Sequence, residues 1–91
     1  MGEESLWEQI YEGTIVEFIV DTVLKNEIDD EEHIIVNGTR AEVRAFYSGN
    51  TGDFALLKIE GFENENPFPI SKSVLDNNPP IRIINDHTQR R

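Results

Sequence analysis

The residues of this chain that could do chemistry are nearly all carboxylates. Asp29-Asp30-Glu31-Glu32 is an uninterrupted acidic run, and Glu17 and Asp21 lie four residues apart in a β-branched stretch. On a strand, Glu17 and Asp21 share a face but stand roughly 13 Å apart at about 3.3 Å per residue, too far for the paired carboxylates of a glycosidase. The acidic run offers oxygen ligands but lacks the Asp-x-Asn-x-Asp-Gly pattern and distant Glu that wrap Ca²⁺, so no metal site is expected. Nucleophilic catalysis lacks its parts: there is no cysteine, and neither His33 nor His87 accompanies a serine in a nucleophile setting. Ser48 to Asp53 holds two glycines but no following Lys-Ser/Thr, and reads as a turn rather than a phosphate loop. The expectation is a protein without catalytic residues, cofactor or metal.

Charge is the more informative property. Residues 1 to 39 hold eleven acids against one base, Lys25, whereas residues 40 to 91 hold seven of each, so the net charge of −10 belongs to the first 39 residues. Such a field disfavours phosphate backbones and favours a basic protein, whose approach it accelerates. The expected contact residues are therefore Glu17, Asp21, Asp29, Asp30, Glu31 and Glu32, with Phe46, Tyr47, Phe62 and Phe68 near loops as apolar anchors. An inhibitor or DNA mimic is the sharper form of this reading, and a merely solubilising surface the blander one. The rival is a small nucleic-acid-binding protein using Arg40, Arg44, Lys58 and Arg82, and also Arg90 and Arg91, with Phe46 and Tyr47 as stacking platforms. Acids near these bases oppose it.

Ninety-one residues suffice for one small core, and without cysteine its stability must come from packing. Met-Gly-Glu-Glu has neither the basic nor the apolar region of a signal peptide, and no apolar run approaches the roughly 20 residues of a membrane span. A cytoplasmic monomer or weak homo-oligomer is expected.

Ser5-Leu6-Trp7-Glu8 has capping-box spacing and predicts a helix to about Glu12, stopped by Gly13, with Trp7 and Tyr11 on one side. Thr14 to Val23 reads as a first strand with Val16, Phe18 and Val20 inward, and Leu24 to Glu32 as a long acidic loop. Asn37-Gly38 between His33–Val36 and Thr39–Phe46 predicts a type I′ hairpin. A reversal at Tyr47 to Asp53 leads into Phe54–Glu60, completing an antiparallel meander in which Ala41, Val43, Ala45, Ala55, Leu57 and Ile59 face the core. Asn64, Asn66, Pro67 and Pro69 mark a loop, Ser71–Asp76 a helical turn, and Ile81–Ile84 a last strand.

This order of elements resembles the SH3-like small β-barrel. The fold expectation is thus mainly β: a five-stranded SH3-like barrel over residues 13–85, a short N-terminal helix within 1–12, and a tail from 86 to 91. The Ala-Leu-Tyr-Asp-Tyr type motif and paired tryptophans of peptide-binding SH3 domains are missing, so proline-motif recognition is not implied.

Overall fold

The computed structural model describes residues 5–26 and 30–85. They form α1 (Leu6–Gln9), β1 (Ile15–Phe18), β2 (Thr22–Lys25), β3 (Glu32–Ile35), β4 (Arg40–Gly49), β5 (Gly52–Ile59), β6 (Phe68–Ser71), α2 (Lys72–Asn77) and β7 (Ile81–Asn85). Two antiparallel sheets result. The larger has the order β6-β5-β4-β1-β7, and β2 and β3 make a separate hairpin. The fold is mainly β, but seven strands replace the expected five among the described residues. The larger sheet ends on β6 and β7 without their pairing, so no barrel closes.

The central hairpin of β4 and β5 follows from alternation. Ala41, Val43, Ala55, Leu57 and Ile59 are all buried, and a bulge between Val43 and Ala45 resets the register. Val16 and Phe18 of β1, Phe68 and Ile70 of β6, and Ile81 of β7 add to the same core; Leu24 and Ile35 of the small sheet cover it. Leu75 of α2 and Ile10 fill one end.

The Asn37-Gly38 turn does not make the expected hairpin. Gly38 has φ 96°, whereas Asn37 is not among the positive-φ residues, and Thr39 N–H donates to Val36 O at 3.1 Å. That is the pattern of a type II turn, which splays the strands it joins. β3 consequently turns back on β2, and β4 pairs with β1. The turn instead caps β1: Gly38 N–H donates to Phe18 O at 2.7 Å, and Phe18 N–H to Thr39 O at 2.8 Å.

Four local expectations need correction. The stretch Thr14 to Val23 is broken at Ile19 and Val20, which are exposed, with Ile19 N–H bonded to Pro80 O at 2.8 Å. Leu24, Lys25 and Glu32, at the two ends of the expected acidic loop, are strand, narrowing the connection to residues 26–31. Pro69 lies inside β6, where an edge position tolerates a residue without N–H. The first helix stops at Gln9, leaving Tyr11 exposed; the Ser5 side chain makes no cap, its hydroxyl bonding Asp76 instead. At α2 the cap does form, Ser71 Oγ accepting from Val74 N–H at 3.2 Å.

Candidate partner-binding surface

The expected contact residues fall on separate parts of the molecule. Glu17 is half-buried on β1 and directly opposite Arg82 of β7, whose Nε and Nη2 donate to its Oε1 at 3.1 and 2.8 Å. Asp21, at the bend before β2, accepts from Asn37 N–H at 2.8 Å. Asp29 lies outside the described residues. Asp30 has φ 58°, a left-handed conformation that Asp tolerates better than most residues, and its carboxylate stands 3.5 Å from Lys25 Nζ. Glu31 and Glu32 are exposed, and Glu32 faces Lys25 across the hairpin. Asp21, Asp30, Glu31 and Glu32 are therefore gathered by one element, the β2–β3 hairpin.

The four aromatic anchors are not gathered. Phe68 is 1% exposed and belongs to the core, so it offers nothing to a partner. Phe62 packs edge-on to it at 5.7 Å, and His33 sits edge-on to both rings, joining the two sheets. Phe46 shares the inner face with its partner Ala55 and touches Trp7 edge-on at 5.3 Å, yet stays 36% exposed. Tyr47 faces the opposite way, stacked on Phe54 at 5.3 Å.

Arg90 and Arg91 lie outside the described residues, as does His87, and the described bases do not converge either. Arg82 is engaged with Glu17, and Arg44 Nη1 lies 3.3 Å from Glu42 Oε1. Arg40 and Lys58 line an open groove of about 260 Å³ together with Glu42, Glu60 and Glu63. The backbone amides of Glu63 and Gly61 stabilise the Glu63 carboxylate and hold its pKa below the usual value, so this groove stays of mixed sign. Two bases among three acids make a poor cradle for a phosphate chain. Among the described residues no three His, Cys, Asp or Glu side chains converge on a metal-sized site, and no helix is long and apolar enough to cross a membrane.

One feature escaped sequence reasoning. Val23 and Ile34 stand directly opposite each other on the outer face of the β2–β3 hairpin, 58% and 64% exposed. Val20 and Val36 are exposed beside them. The signal was present as alternation, since Thr22 and Leu24 turn inward and Val23 and Lys25 outward, but the acids that follow made Leu24 to Glu32 read as loop and left Val23 at the end of the first strand. The chain matches no protein-family model, no curated protein and no solved structure.

Proposed function

We propose that this chain is a non-catalytic interaction module, cytoplasmic and regulatory, whose acidic first third binds a basic protein. The observation that carries the reading is where the fold leaves the charge. Asp21, Asp30, Glu31 and Glu32 remain on the surface of one hairpin with Lys25 as the only base in the first 39 residues, while Arg44, Lys72 and Arg82 each stand against a carboxylate. Long-range attraction of this kind raises association rate and rejects anionic competitors. In its sharper form the module inhibits a nucleic-acid enzyme by occupying its phosphate-binding surface with carboxylates.

The order β7-β1-β4-β5-β6, a hairpin inserted after the first strand, and a helical turn before the last support an SH3-like arrangement in open form. In that arrangement the hairpin inserted between β1 and β4 packs one face on the core and leaves the other to a partner without disturbing the main sheet.

The test is affinity capture from host lysate at low and at moderate salt, beside a variant with Asp21, Asp30, Glu31 and Glu32 changed to Asn or Gln. The reading expects a basic protein retained by the natural chain, weakened by salt and lost with the variant. Retention of the same partner by both chains rejects the acidic surface, and capture of nucleic acid alone rejects the reading altogether.

A further inference from the structure

We infer that the outer face of the β2–β3 hairpin is the docking surface, and that its occupant is a protein segment with apolar side chains flanked by Lys or Arg. This rests on the reading above and assigns it a place. The register makes the face continuous: Val23 opposes Ile34, the next pair on that side is Lys25 and Glu32, and Thr22, Leu24, His33 and Ile35 occupy the other positions of the two strands. Val36, just past β3, and Val20, at the bend before β2, are exposed as well. Single exposed aliphatic residues need no explanation, whereas a directly opposed β-branched pair on the strands of a small hairpin, with exposed valines at the ends of those strands, presents apolar area that water disfavours.

The rim selects the occupant. Exposed carboxylates flank the patch at both ends of the hairpin, Asp21 before β2 and Asp30, Glu31 and Glu32 at the loop end, with Lys25 the one base beside them. A second copy would bring the same carboxylates against these, each chain carrying a net charge of −10. Phosphate backbones and anionic lipid surfaces are repelled for the same reason. A basic segment gains rim attraction while its own apolar side chains cover Val23 and Ile34, the division between central anchor and polar rim that interfaces show.

The experiment titrates the isotopically labelled full chain with two short synthetic peptides, one alternating lysine with valine and one alternating lysine with serine, following amide shifts. The inference expects the lysine–valine peptide to perturb Val20, Val23, Ile34 and Val36 first and to bind about tenfold more tightly than the lysine–serine peptide. Val23→Thr with Ile34→Thr should abolish that difference while the rest of the spectrum stays unchanged, since both positions are exposed. Equal binding of the two peptides, shifts centred elsewhere, or an unaffected double variant overturns the docking face and leaves the broader reading standing. Concentration-dependent shifts of these residues without peptide overturn it in favour of self-association. Absence of binding by both basic peptides at low salt overturns the docking face and the broader reading together.

Discussion

Asn26 Nδ2 donates to the backbone carbonyl of Asn66 at 2.8 Å, bridging forty residues of sequence. Asn26 is 1% exposed, its N–H donates to Glu31 O at 3.2 Å, and its carbonyl accepts from Asp30 N–H at 2.8 Å. One polar side chain thus ties the far end of the acidic hairpin to the connection between β5 and β6. Asn26→Ala removes a buried donor and strands the Asn66 carbonyl, which should cost about 1–3 kcal/mol. Urea denaturation measures the loss, and faster amide exchange confined to the hairpin would show that it was anchored here.

Leu57→Ala and Val23→Thr form a contrasting pair. Leu57 is fully buried, so its truncation should cost about 2–5 kcal/mol. Val23 is exposed on the hairpin, and its replacement should change stability by no more than about 0.5 kcal/mol. Chemical denaturation of both variants checks this, and a large loss at Val23 would mean that its side chain is covered within the monomer.

Gly38 tests the turn that redirects the chain. At φ 96° with nothing within 4 Å of an added Cβ, the cost of Gly38→Ala comes from backbone conformation alone and should be about 1 kcal/mol. A shift in thermal midpoint reads it, and the absence of any shift would place Gly38 in another conformation in solution.

Asp76 gives the fold a pH dependence with a defined sign. Lys72 Nζ lies 2.6 Å from its Oδ2, and this hydrogen bond, aided by the Ser5 hydroxyl, lowers the Asp76 pKa from 3.8. The same bond raises the Lys72 pKa from 10.5. A lowered carboxylate contributes stability above 3.8 that is lost as pH falls through its folded value; a raised amine contributes below 10.5 and loses it as pH rises through its own. The stability difference between the natural chain and Asp76→Asn should be flat between these limits and shrink beyond each. Comparing the two by urea titration across pH cancels the relief of self-repulsion common to both.

The central hairpin, the last strand, α2 and the β1 core positions Val16 and Phe18 were legible in the sequence, because apolar alternation and turn-forming residues act locally. Pairing partners were not. Asn37-Gly38 announces a turn whether its strands pair or splay, and only the φ angle of Asn37 separates the two outcomes. Pro69 hid a strand because its suitability depends on lying at an edge, which is a property of the sheet and not of the segment. For the candidate site, the acids could be named from charge alone, but their gathering on one hairpin required knowing that β3 folds back on β2. Of the aromatic anchors, Phe68 alone is lost to the core, because a ring near a loop is as easily core as surface, while Phe46 stays 36% exposed.

The pairing of Glu17 with Arg82 joins strands whose partners lie 65 residues apart. During synthesis, β1 acquires β4 early, while its other edge stays open until Ile81–Asn85 has left the ribosome. Until then the growing chain carries an unpaired strand edge, and a pairing across so long a stretch of sequence delays completion of the sheet. The carboxylates of the first third are already present in that interval, so the electrostatics read here as recognition also keep unfinished chains apart.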